Sequence, residues 1–229
     1  MTGSVVLHSV STRASQPAVV TVMEGAVGAH VGLDYQDADD EGARRHLHLA
    51  WHLRLENAPV PPDDAFWVEP RLTEAQLDDV AVAAHLIAKG QQDGRVPYAL
   101  DPADAQFQPD GTLQLNQSLG LTCATFIVLV FGHAGIELLD TITWDQDRSD
   151  ERKREDEDAQ HRLVKYLRDN PASRAHADLV EGQVGCTRIR AEEIAAALGM
   201  TGHPIPFMRA EPEGRCVLQT IRGQAAGAG

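Results

Sequence analysis

Ala124-Thr125-Phe126-Ile127-Val128-Leu129-Val130-Phe131 is the most apolar run in the chain. A helix that is apolar on every side has to lie in the middle of a domain. Whatever this chain folds into must therefore wrap other elements around that segment. Cys123 stands at its head, after the glycine-bearing approach Ser118-Leu119-Gly120-Leu121-Thr122. First-turn N–H groups have no partner inside a helix, and the helix dipole places partial positive charge there. Both effects favour thiolate over thiol, and the thiolate is the reactive form. A free cysteine is more often an inert core residue, so a nucleophile is credible only if the chain also supplies a base.

Composition narrows the setting. A chain of 229 residues, 43% hydrophobic, suits one sizeable domain with a real core. Its three cysteines, at 123, 186 and 216, are scattered and make neither a disulfide framework nor a zinc-ligand spacing. No metal or cofactor is expected, and Cys186 and Cys216, without an adjacent base, read as structural thiols. The amino terminus lacks the basic start and long apolar stretch of a secretory signal, and no apolar run is long enough to span a membrane. A reducing, cytoplasmic setting is the expectation, with delivery by a specialised secretion system also open. The net charge of −14 opposes a grip on nucleic acid or on an anionic membrane surface.

Along the chain, residues 1–17 read as a loose, polar lead-in. Residues 18–23 and 29–35 read as strands. From His46 to Leu55 the alternation is regular, with Leu47, Leu49, Trp51, Leu53 and Leu55 on one face and His46, His48, Ala50, His52 and Arg54 on the other. After a proline-rich turn, residues 65–69 read as a partner strand, giving an antiparallel meander. Thr73 and Gln76 form a capping-box pair that opens a helix ended by Gly90. The long irregular stretch 91–120 has the length of a functional loop. Residues 145–158 are almost all charged and read as a solvated helix face, gaining an apolar side through Leu163, Val164 and Leu167 before Pro171. Residues 191–198 read as a helix, 215–221 as a strand, and the Gly/Ala end as a flexible tail.

The histidine-bearing strand is where a base for Cys123 would sit. An imidazole held by a strand beside a helix-head thiol can take the thiol proton and later return it to a leaving group. A third polar group should orient the ring, and Glu69 would serve if the 46–55 and 65–69 strands form a hairpin. Backbone N–H of Cys123 is the first oxyanion donor expected. Tyr98, Gln114 and Gln117 are side-chain candidates from the preceding loop.

In this order of elements the chain resembles the circularly permuted papain-like cysteine hydrolases, the NlpC/P60-related group that includes the lecithin:retinol acyltransferase-like proteins. His48-Leu49-Ala50-Trp51 is similar to that group's histidine strand, Phe66-Trp67-Val68-Glu69 to the strand carrying the third member, Gly94-Arg95-Val96-Pro97-Tyr98 to a glycine-to-tyrosine element, and Thr122-Cys123-Ala124-Thr125-Phe126-Ile127 to the cysteine helix start. Alanine at 124 departs from the usual serine. The resemblance implies an α+β fold in which an antiparallel meander packs on the buried Cys123 helix. Residues 18–144 would form a catalytic domain, and residues 145–229 a charged helical extension with a short terminal strand and a tail. It implies Cys123 as nucleophile, His48 as base, Glu69 as its orienting partner and Tyr98 at the oxyanion. A second alignment, on His30-Val31-Gly32-Leu33, makes His30 the base and His48 the orienting residue, as in the acyltransferase-like branch. The substrate would be a peptide, protein or lipid-acyl group attacked at an amide, isopeptide or ester bond. The rival from another class is a binding scaffold that uses the charged 145–170 helix as a protein-partner surface.

Overall fold

A computed structural model describes residues 5–12, 15–25, 28–40, 43–59, 61–145 and 150–225. The expected Gly/Ala tail beyond 225 lies outside the described residues, as does 146–149 of the expected charged segment. The fold is α+β. Strands β1 (Leu7–Ser9), β2 (Ala18–Gly25), β3 (Gly28–Gln36), β4 (Arg44–Trp51), β5 (Arg54–Ala58) and β6 (Phe66–Val68) make one antiparallel sheet in the order β1-β6-β2-β3-β4-β5. The described residues also form six α-helices: α1 (Glu74–Gly90), α2 (Cys123–His133), α3 (Asp150–Asp169), α4 (Arg174–Glu181), α5 (Ala191–Leu198) and α6 (Phe207–Ala225). A small hairpin of β7 (Gln106–Phe107) and β8 (Leu113–Gln114) and a parallel pair of β9 (Leu139–Asp140) with β10 (Ile205–Pro206) complete it.

Period-two alternation sorts the sheet. Residues opposed across the ladder share a face, so Val20, Val22, Val31, Leu33, Leu47 and Leu49 build one side, packed with α1, α2, α5 and α6 in the main hydrophobic core. Phe126, Ile127, Val130 and Phe131 of α2 fill its centre at 1% exposure or less, each worth roughly 1.5–3 kcal/mol relative to exposure. Ile194 and Leu198 of α5 and Val217 and Ile221 of α6 belong to the same core. α5 and α6 are thus packed into the body of the fold rather than appended to it, while Leu163, Val164 and Leu167 of α3 and Ala177 and Val180 of α4 form a second cluster with Ala99 and Leu100. Trp144 itself is buried, and its Nε1–H donates to Glu193 at 3.0 Å.

Several expectations need correction. The alternation from 46 to 55 is not one strand: it breaks at His52-Leu53, where Leu53 takes the left-handed conformation (φ 56°) and the chain folds back as β5. Leu53 is exposed, not part of an inward stripe. Residues 7–9 of the expected lead-in form β1, and β6 lies between β1 and β2 instead of beside β4. Residues 215–221 are helical, within α6, where Val217 and Ile221 stack one turn apart on the core. The face bearing His46 and His48 is not solvated: their exposures are 0% and 9%. Gly32 makes room there, because a Cβ at that position would lie 2.5 Å from the His46 ring.

Candidate active site

Cys123 is the first residue of α2. Thr122 caps the helix, its hydroxyl accepting from the Thr125 N–H at 3.1 Å while the Thr125 hydroxyl accepts from the Thr122 N–H at 2.8 Å. The Cys123 N–H is left to a different partner, the Tyr98 hydroxyl at 3.3 Å, and that hydroxyl donates to Sγ at 3.7 Å. Tyr98 reaches this position because residues 97–99 pair in parallel with Leu121: Leu121 N–H donates to Pro97 (3.0 Å) and Ala99 N–H to Leu121 (3.1 Å). Gly120 permits the approach, since a Cβ there would strike the Pro97 carbonyl oxygen at 2.3 Å and its φ is +151°.

Tyr98 is further held at its backbone and its ring. Its N–H donates to Nδ1 of His52 at 3.2 Å, and its carbonyl accepts from Nε2 of His176 at 2.8 Å. The two imidazoles face each other at 4.4 Å. Trp51 stacks on the phenol ring at 5.0 Å. Burial, then the neighbouring His176, lower the His52 pKa to about 4, so at neutral pH its Nδ1 is an acceptor.

The imidazole beside the sulfur is that of His30, on β3: both groups line the same cleft, and each acts on the ionisation of the other. His30 Nε2 lies 2.8 Å from Nδ1 of His48, and His48 Nε2 lies 3.1 Å from a Glu56 oxygen. A carboxylate only accepts, so His48 Nε2 carries the proton and its Nδ1 accepts from His30 Nε2–H. His30 Nδ1 is then the nitrogen for the sulfur. His48, expected as the base, is one step removed from the sulfur and has both ring nitrogens engaged. Glu69 does not orient His48. It follows β6, on the far side of β2, and pairs with His8 at 3.4 Å. Its place is taken by Glu56, opposite His48 across the β4–β5 ladder and gripped by Arg54 at 2.5 Å.

The electrostatics follow from this line. Burial pushes the Cys123 thiol up, but the His30 charge and hydrogen bond, the Tyr98 hydroxyl and the Val31 N–H outweigh it, bringing the thiol from 9.0 down to about 7. For His30 burial favours the neutral ring, yet Cys123 and Glu56 together raise its pKa above 6.5. Burial and then the His30 charge lower His48 to about 4 against the pull of Glu56. Behind them His46 is lowered to about 3, by burial first and then by its two histidine neighbours. Tyr98 is raised well above 10 by burial and then by the Cys123 charge, and stays a hydrogen-bond donor.

Cys123, 7% exposed, opens into a cleft of about 150 Å³ that His30, Tyr98, Trp51 and Thr122 also line. Its other wall comes from the helical region: Ala159, Gln160 and Leu163 of α3, then Arg188, Ile189 and Ala191. Gln114 and Gln117 are exposed and outside the cleft, so Tyr98 is the loop side chain brought to the sulfur. Cys186 is pushed up to about 11, by burial first and then by nearby acidic groups, and Cys216 is exposed. Among the described residues no group of three or more His, Cys, Asp or Glu side chains is placed to hold a metal ion, and no helix is long and apolar enough to cross a membrane. Sequence reasoning missed Glu56, His176 and the 159–191 wall. Glu56 was within reach once a turn at 52–53 was allowed; the other two depend on long-range packing. Comparison of the chain with protein-family models, curated proteins and solved structures finds no match.

Proposed function

We propose that this chain is a cysteine hydrolase of the permuted papain-like kind, acting on a carbonyl through a thioester acyl-enzyme. What carries it is the unbroken line Cys123–His30–His48–Glu56, together with the Tyr98 hydroxyl and Cys123 N–H beside the sulfur. The Cys123 thiolate attacks the carbonyl carbon and an Sγ–C bond forms. Negative charge gathers on the carbonyl oxygen, where Tyr98 and the Cys123 N–H donate. His30, protonated at Nδ1, gives that proton to the departing amine or alcohol as its bond to carbon breaks. Neutral His30 then takes a proton from water, whose oxygen attacks the thioester and returns Cys123 to the thiolate. His48, fixed by Glu56, keeps His30 in the tautomer this cycle needs.

The histidine strand preceding the cysteine helix in the chain, and the packing of that helix on an antiparallel sheet, support the permuted papain-like assignment. A histidine rather than a carboxylate beside His30 also favours a second reading, transfer of the acyl group to an acceptor other than water, as in the acyltransferase-like branch. Intact-mass spectrometry after exposure to electrophilic amide, ester and ubiquitin-type probes tests the proposal. One adduct on Cys123, absent from Cys123→Ala, is expected. Labelling confined to exposed Cys216 would contradict it and favour a binding scaffold. Adding amine acceptors to the same reaction separates hydrolysis from transfer.

A further inference from the structure

The region after Trp144 forms one wall of the cleft into which Cys123 opens, and that wall limits what the sulfur can carry. The space amounts to about 150 Å³. A cavity of about that size elsewhere accommodates a benzene molecule, and pockets for larger organic ligands start near about 300 Å³. A long fatty acyl chain would extend beyond this space. Leu163, 7% exposed, and Ala159, 5% exposed, are buried on α3 and form the back of the cleft.

Among the described residues, one charged side chain outside the His30–His48–Glu56 line borders this space. Arg188 lines the cleft, its guanidinium lies against the start of β3 (a Cβ built on Gly28 would sit 3.8 Å from Nη2), and its charge acts on the Tyr98 phenol. Arg188 and Arg190 share the buried carboxylate of Asp156. Arg190 takes the short contacts, 2.7 and 2.6 Å, and Arg188 stands at 3.5 Å. With the carbonyl oxygen of a thioester on Cys123 held at Tyr98 and the leaving group on the His30 side, Arg188 is the cationic side chain lining the cleft left for the rest of the acyl group. The remaining wall is mainly apolar, from Ala50, Trp51, Leu100 and Ile189.

Building on the proposed acyl-enzyme chemistry, we infer that the acyl group transferred to Cys123 is short, about six non-hydrogen atoms, and carries a carboxylate that Arg188 recognises. Residues 159–191 are then the specificity wall of the enzyme.

Single-turnover acylation of the full chain by phenyl thioesters, read as the mass added to Cys123, tests this. The acyl series is butanoyl, succinyl and decanoyl. Succinyl is expected to acylate about tenfold faster than butanoyl, and decanoyl slowest of the three. The succinyl advantage should vanish in Arg188→Met and return in Arg188→Lys, with alkylation of Cys123 by iodoacetamide unchanged as a check on folding. Fastest acylation by decanoyl, or a succinyl advantage that survives Arg188→Met, would overturn the inference while leaving the acyl-enzyme reading intact. Failure of every thioester on a Cys123 that still alkylates would instead sink the acyl-enzyme reading.

Discussion

Two histidine pairs differ in how their rings meet: His30 with His48, on β3 and β4, and His52, in the turn after β4, with His176 of α4. His30 and His48 meet edge to edge, nitrogen to nitrogen at 2.8 Å, with rings at 78°. His52 and His176 lie ring over ring at 4.4 Å, tilted by 34°, each bonded to the Tyr98 backbone. The first geometry joins ring nitrogens into a line along which protonation at one end is felt at the other. The second passes no proton between rings and fixes one loop residue in space. Residue type is the same in both, so the role is set by what the nitrogens face.

The sharpest way to break the comparison is to remove one ring from each pair. His30→Ala should slow acylation of Cys123 by about 10²–10⁴, the usual worth of a positioned base, measured by stopped-flow or quenched mass spectrometry. His176→Ala should cost only about fivefold in acylation, one hydrogen bond's worth, and leave iodoacetamide alkylation unaltered, because alkylation builds no oxyanion. Equal losses in the two assays would erase the distinction.

Next in size is a pH effect on stability. The unfolded chain protonates His46 near 6.5, whereas the folded chain does so only near 3. The unfolded state therefore binds more protons across that window, so stability is complete above pH 6.5 and falls as pH drops toward 3. His46 alone contributes on the order of 4 kcal/mol, and His48 adds in the same direction down to about 4. Urea unfolding at pH 7 and pH 4 should show the loss, and His46→Leu should flatten it. An unchanged slope in that variant would assign the acid sensitivity elsewhere.

The smallest effects separate the two glutamates. Glu56→Ala should slow acylation about tenfold by releasing a charge-assisted hydrogen bond to His48. Glu69→Ala, on the far side of the sheet, should change the rate less than about twofold. The reverse ranking would restore the pairing expected from sequence.

That misassignment shows where legibility ended. The β2–β4 part of the meander, the α1 capping box and the buried Cys123 helix are local patterns, and local patterns read well. The turn at His52-Leu53 gave no signal because a leucine, not glycine or asparagine, takes its left-handed position, so the alternation ran on and concealed Glu56. Sheet order was equally hidden, since β6 joins β2 across more than forty residues and nothing in either strand announces its neighbour. In α6, residues 215–221 read as a strand, yet helical spacing put Val217 and Ile221 on one face. His176 and the 159–191 wall reach the site only through tertiary packing. Sequence thus located Cys123, Tyr98 and the two histidines, and the fold shows which imidazole lies beside the sulfur.

The pH dependence of Cys123 alkylation tests the central pairing most directly. With His30 beside the sulfur, the rate should reach half its plateau near pH 7, and His30→Ala should move that midpoint up toward the ordinary thiol range. A midpoint near 9 in the unaltered chain, unmoved by His30→Ala, would contradict the account.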